Sequence, residues 1–242
     1  MVLLFFLSAF ISEVAGTIAG FGSSTLFLPL ALLFTEYKTA LVLVAFVHLF
    51  GNIGRIGFFR HALHKKIFIH FGLPSVVFSL LGALLVGYIS QSILKGMLGV
   101  FLVFYSLLMF AKDSYKIKLT FLNAFIGGAS SGFMAGLIGT GGSLRGAFLT
   151  GFGLSKEKYI ATAAAIALSV DMTRIPIYFV GDFLEARLYW LIPVLFAIAL
   201  LGSFTGKQIV DKIPMKQFKK VVLFSLLMIG LKFTYDWLVV LP

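Results

Sequence analysis

The chain has no cysteine and only nine acidic residues among 242. Without cysteine there can be no disulfides, no thiolate metal sites and no cysteine nucleophile. The acids are too few and too scattered for a paired catalytic dyad, and no HExxH, GxSxG or Walker lysine motif is present. No enzyme, metal site or cofactor is therefore expected. Charge of either sign is scarce: Asp, Glu, Lys and Arg make up 12% of the residues, where a soluble domain carries about 25%.

Apolar residues fill that space, at 60% of the chain with a mean hydropathy of +1.05. They come in runs of about 20 residues, the length a helix needs to cross a roughly 30 Å hydrocarbon core. The runs do not alternate as barrel strands would. An all-α polytopic membrane protein follows. The net charge of +11 could suggest nucleic acid, but the Lys and Arg residues lie in short loops between apolar runs. That is the signature of membrane loops, so no nucleic-acid partner is expected. Residues 2–19 have no basic leader and their apolar pattern continues into 24–34, so they are expected to belong to the mature protein.

The chain reads as two copies of one unit. Ala15-Gly-Thr-Ile-Ala-Gly-Phe-Gly-Ser23 answers Ala135-Gly-Leu-Ile-Gly-Thr-Gly-Gly-Ser143 at a shift of 120. Leu73-Pro74 answers Ile192-Pro193, Gly87 answers Gly206, and Ser106–Met109 answers Ser225–Met228, all at 119. The repeats divide near residue 114, into 1–114 and 115–242 of one transmembrane domain. Each opens with a glycine-broken segment (2–34 and 119–154), followed by three apolar runs: 39–60, 67–90 and 93–111, then 157–180, 188–206 and 215–238.

Loop charge discriminates between topologies. If every segment crosses, Lys and Arg divide 7 to 9 between the two sides; if the broken segments turn back, they divide 13 to 3. The second arrangement leaves three crossings per copy. An odd number inverts one copy relative to the other, as in secondary transporters, where discontinuous helices meet at a substrate site near the midplane.

The breaks are the first candidate site. Ser23 and Ser24 follow one, and Thr140, Gly141, Gly142 and Ser143 form the other. Ser23 and Ser143 are expected as N-caps of the second half-helices, whose free N–H groups would attract an anion. The structural alternative is close packing through small residues. Arg145 lies two residues beyond Ser143 and would add its charge to that helix end, its fork suiting an oxyanion. The alternative there is an ion pair with Glu13 or Asp171. Thr25 holds the matching place in the first copy, which makes the site asymmetric.

A second pattern sets Asn52-Ile-Gly-Arg55 against Asp171-Met-Thr-Arg174, with i, i+3 spacing on one helix face. Asn52, Asp171 and Arg174 become candidate pathway residues, and Asp171 and His48 candidates for a coupling proton. Arg55 is expected to snorkel towards the cytoplasmic end. His61 and His64 are expected to be solvated, Pro74 and Pro193 to kink their helices, and the lysines at 207, 212, 216, 219 and 220 to meet lipid headgroups.

The stretches "AGTIAGFGSSTLFLPLAL" (15–32) and "MAGLIGTGGSLRGAFL" (134–149), with Ile213-Pro214 and "LFSLLMIGLKF" (223–233), resemble the TauE/SafE, or sulfite exporter, family over essentially the whole chain. The resemblance implies a bacterial inner-membrane carrier of small anions, often sulfur-containing, such as sulfite, sulfoacetate and related organosulfonates. The family's glycine triplet is here Gly20-Phe-Gly-Ser-Ser24, and Leu149 stands where Pro29 would correspond. The partners expected are a small anion, membrane lipid and, for assembly, a second copy of the chain. A non-transporting membrane scaffold and an anion channel stay open as alternatives.

Overall fold

A computed structural model describes residues 2–19, 22–59, 62–111, 116–209 and 215–240. The described residues are helical throughout their secondary structure. The first broken segment gives α1 (Val2–Ala19) and α2 (Ser24–Ala31), and α3 spans Tyr37–Phe59. A one-turn α4 (Lys65–Ile67) runs through a π-helical turn, Phe68–Gly72, into α5 (Leu73–Leu85), and α6 is Gln91–Ala111. The second copy follows the same plan: α7 (Phe121–Ile138), α8 (Gly142–Gly151), α9 (Lys156–Val180), α10 (Leu191–Ile209) and α11 (Met215–Val240). Among the described residues seven helices are long and apolar enough to cross a membrane, including α7 at 18 residues. The protein is a multi-pass membrane protein.

Packing between the copies is reciprocal. α1 lies on α10 as α7 lies on α5, α3 meets α9, and α6 meets α11. The α5–α7 contact is close because Gly128, Gly132 and Gly136 form a stripe on one face of α7, where β-carbons would overlap the carbonyl oxygens of Phe71, Ser75 and Ser79. Small residues of this kind let helix backbones touch where no water is available to drive association.

Side-chain contacts gather the loops at two ends of the molecule. At one end Phe5 packs on Phe34 (ring centroids 6.0 Å apart), the Tyr37 N–H donates to Gln91 Oε1 at 2.8 Å, and Thr39 Oγ1 donates to the Phe183 carbonyl at 3.2 Å. At the other the Ile117 N–H donates to the Gly151 carbonyl at 2.8 Å and the His64 N–H to Thr162 Oγ1 at 3.0 Å. α1 therefore starts at the first end and α7 at the second, and α3 and α9 likewise run in opposite directions.

Both broken segments are hairpins. α2 returns along α1, placing Phe27 5.4 Å from Phe5, and α8 returns along α7, setting the Phe148 ring against Gly127. The first arms, at about 1.5 Å per residue, are close to 27 Å long, whereas the second arms are only eight and ten residues. The hairpin tips meet inside the protein, where Thr25 Oγ1 and Thr140 Oγ1 share a hydrogen bond of 2.8 Å.

Several local expectations are corrected. α8 starts at Gly142 with Gly141 as N-cap, so Ser143 is its second residue and caps nothing. Ser23 does hold the N-cap place of α2, but in a helical conformation and without a side-chain cap bond. Pro193 is the third residue of α10, in the first turn, where a missing N–H breaks no helical hydrogen bond. Pro74 follows the π-helical turn at the start of α5, so the ladder is already adjusted upstream of it. His64 caps α4, its Nδ1 accepting from the Ile67 N–H at 3.3 Å, so it is not simply solvated. Gly20, His61, Lys212 and Ile213-Pro214 lie outside the described residues.

Candidate functional site

The first arm of the second hairpin ends in carbonyls that have no acceptor role left within the helix. Gly139 takes the left-handed conformation (φ 77°) that stops α7. Side chains from two other helices supply the missing donors. Tyr178 Oη donates to the Gly136 carbonyl at 2.5 Å, Tyr37 Oη to that of Ile138 at 3.1 Å, and Arg174 Nη1 to that of Ala135 at 2.5 Å. Arg174, expected among the substrate ligands, is thus turned towards the helix end.

Arg174 also holds Asp171, with Nε donating to Oδ1 at 2.9 Å, as the i, i+3 spacing predicts. The other carboxylate oxygen of Asp171 meets His48 Nδ1 at 2.8 Å, a bond between α3 and α9. The matching pair in the first copy has the same form: Arg55 Nη1 donates to Asn52 Oδ1 at 2.8 Å. Asn52 Nδ2 in turn donates to the His48 carbonyl at 2.7 Å. All five side chains are buried.

Arg55 does not snorkel. Its Nη2 is ion-paired with Glu13 and also donates to Thr17 Oγ1 at 2.9 Å. Ser203 Oγ donates to the same Glu13 oxygen at 2.8 Å. Glu13 reaches this position because residue 51 is glycine: a β-carbon there would overlap the carboxylate. The reason for the burial is electrostatic. A guanidinium at this depth is expensive unless paired, and Glu13 offers a nearer charge than the membrane surface.

Thr17, Ser203, Tyr37 and Tyr178 went unmarked in the sequence. For Glu13 a signal existed: it is the only acidic residue before Glu36. For the hydroxyls no periodicity distinguishes them from packing residues.

Arg145 is the third buried arginine, and it differs from the other two. It is the fourth residue of α8, 4% exposed, and no carboxylate lies within ion-pair distance of it among the described residues. The direct ion pairs of Glu13 and Asp171 are with Arg55 and Arg174 instead. Its guanidinium faces a cavity bounded by Gly22, Asn52, Arg55 and Thr17, with Tyr159 and Ala163 of α9 closing the side towards the Lys-rich end. The cavity's volume is about 20 Å³, room for one water. The N–H groups of Gly142, Ser143 and Leu144 have no acceptor within α8, whose first internal bond is the Arg145 N–H to the Gly141 carbonyl at 3.0 Å.

Of the other candidates Asn52 lines this cavity with Arg145, whereas Ser23, Ser24, Thr140, Gly141, Gly142, Ser143, Asp171 and Arg174 do not. Thr140 is taken up by Thr25, and Ser23, Ser24 and Ser143 are buried, the hydroxyls of Ser23 and Ser143 lacking a partner. Three arginines face two carboxylates, so with His48 neutral the buried cluster carries one uncompensated positive charge. Such a charge away from water costs several kcal/mol unless an anion joins it. The Arg145 guanidinium lines a small cavity beside the two hairpin tips.

Residues 4–233 match the family described as sulfite exporter TauE/SafE. A "Probable membrane transporter protein" of Methanocaldococcus jannaschii is 33% identical over 158 residues, which cover 58% of this chain and 58% of that protein. The match thus spans less than two thirds of the relative's length. The chain belongs to the TauE/SafE family.

Proposed function

We propose that this TauE/SafE-family chain is a secondary transporter of a small oxyanion, working by alternating access between two inverted halves. The observation that carries the reading is Arg145, buried without a counter-ion beside the free N–H groups of α8 and facing the opposite hairpin. Helix N-termini of broken helices aimed at anionic groups are a recurring device of such carriers. The planar fork of an arginine suits the oxygens of a sulfonate, sulfite or carboxylate, and the family description favours sulfur-containing anions and export.

The opposite directions of α1 and α7, and of α3 and α9, support the inverted arrangement. With the Lys-rich end cytoplasmic, as loop charge favours, the cavity beside Tyr159 and Ala163 sits on the cytoplasmic side of the crossing tips. Its one-water volume fits an occluded carrier whose walls part to admit an anion, rather than an open channel.

The test is Arg145→Ala in the purified protein. Binding of sulfite, thiosulfate, sulfoacetate, taurine, acetate and sulfate is followed by ligand-dependent thermal stabilisation, which grows as RT ln(1 + [L]/Kd). The wild type should be stabilised by at least one of them and the variant by none, with the unliganded melting temperature no lower. Wild-type affinity in the variant would show that the site lies elsewhere. A wild type indifferent to the whole panel would favour a scaffold.

A further inference from the structure

The buried cluster contains one titratable ring whose outer nitrogen is unused. His48 Nδ1 meets Asp171 Oδ2 at 2.8 Å. Asp171 is also held by Arg174 and accepts only, so Nδ1 carries the proton of the neutral ring. That leaves the lone pair on Nε2, which is buried and has no hydrogen-bond partner. Nε2 points at Gly22, the positive-φ residue (87°) of the first hairpin tip. A β-carbon on Gly22 would stand 2.8 Å from Nε2 and 3.7 Å from Arg145 Nη2, so both nitrogens border one small space that only glycine leaves open.

The charged groups around that ring are few. α9 contributes Asp171 and Arg174, bonded to each other; α8 contributes Arg145; α1 contributes Glu13, held by Arg55 of α3 itself; and α10 contributes Ser203, which does not titrate in this range. Two carboxylates against three guanidiniums leave one positive charge when His48 is neutral. A monoanion beside Arg145 brings the buried cluster to zero. A dianion would leave it at minus one, with the Nε2 lone pair turned towards the same space, and both effects are costly in a medium of low dielectric.

Resting on the anion-carrier reading, we propose that His48 Nε2 is a proton-binding site coupled to substrate charge: a divalent oxyanion enters together with one proton, whereas a monovalent one enters alone. The proton comes from solvent and occupies the Nε2 lone pair. The imidazolium so formed donates Nε2–H towards the anion while Nδ1–H keeps its bond to Asp171. With dianion and proton both bound the buried cluster as a whole is neutral, which makes the transport of dianions proton-coupled and that of monoanions not.

Sulfate and methanesulfonate keep charges of minus two and minus one over the whole titration range of histidine, so they separate the cases. Binding of each to the purified protein is measured from about pH 8.5 to about pH 5.5, and proton uptake in weak buffer is read with a pH dye. Sulfate should bind more tightly as pH falls, by up to about tenfold per pH unit, with close to one proton taken up per anion; methanesulfonate should show a flat profile and no uptake. His48→Gln should bind sulfate at every pH with the weak affinity the wild type shows at high pH. A flat sulfate profile, proton uptake with methanesulfonate, a pH slope surviving in His48→Gln, or methanesulfonate binding with no sulfate binding at any pH would each overturn the proton site while leaving the carrier reading in place. If neither probe nor any other small oxyanion binds the wild type, the carrier reading falls and the proton site with it.

Discussion

Arg55, Arg145 and Arg174 are chemically the same side chain in one buried cluster, yet their neighbours give them different work. Arg174 is spent on Asp171 and a helix end, Arg55 on Glu13 and Asn52, and Arg145 lines the cavity with no carboxylate in ion-pair distance among the described residues. The distinction predicts opposite results for two substitutions. Asp171→Ala strips Arg174 and His48 of their shared partner and should cost about 3–5 kcal/mol of stability, as breaking one side of a buried pair does. Asp171→Asn keeps one acceptor oxygen, which Arg174 can still use, and should cost less. Arg145→Ala removes the uncompensated charge and should cost nothing. Thermal unfolding of the three variants in one detergent checks the order, and an Arg145→Ala protein as unstable as Asp171→Ala would refute the division of roles. Arg145 itself was legible in the sequence because a cation just past a glycine break is conspicuous. The engagement of Arg55 was not, since Glu13 lies 42 residues away and i, i+3 spacing speaks only of neighbours on one helix. The bond from His48 to Asp171 spans 123 residues and was equally hidden.

Elements were easier to read than contacts. The long apolar runs fall within a few residues of α3, α6, α9 and α11, because the bilayer sets their length and the loops hold the charges. The helix starts at the breaks were less legible: Ser143 looked like a cap from residue type alone, but the chain turns at Thr140 and Gly141, and α8 begins one residue before the serine. What holds a hairpin arm in place is the glycine stripe of α7, whose spacing of four keeps Gly128, Gly132 and Gly136 on one face against the α5 backbone. Gly132→Leu should therefore pry α7 from α5 and lower the thermal midpoint, with a loss of at least 1–3 kcal/mol typical of overpacking, roughly. Gly153→Leu faces open space but has positive φ, so Gly57→Leu, where nothing lies within 4 Å, is the proper control and should leave the midpoint unchanged. Equal effects from the two leucines would mean that the stripe is incidental.

At the scale of the whole molecule the face from which each hairpin enters sets how the two halves oppose each other. The absence of cysteine makes the native chain its own background for single-cysteine labelling. Glu36 follows the first hairpin and Glu185 lies between α9 and α10, both exposed at the end where Tyr37 meets Gln91. Lys118 and Lys156 flank the second hairpin, exposed at the end where Ile117 meets Gly151. If the hairpins enter from opposite faces, Glu36→Cys and Glu185→Cys react with an impermeant maleimide from one side of the membrane, and Lys118→Cys and Lys156→Cys from the other. The Lys-rich side should be the cytoplasmic one. A chain whose broken segments crossed completely would sort the same four positions differently, putting Glu185 with Lys118 and Glu36 with Lys156. That second sorting would dissolve the inverted pair, and with it the reason for two hairpin tips to meet at Thr25 and Thr140. The first sorting would leave the two halves as opposed gates around Arg145, each closing the cavity from its own side.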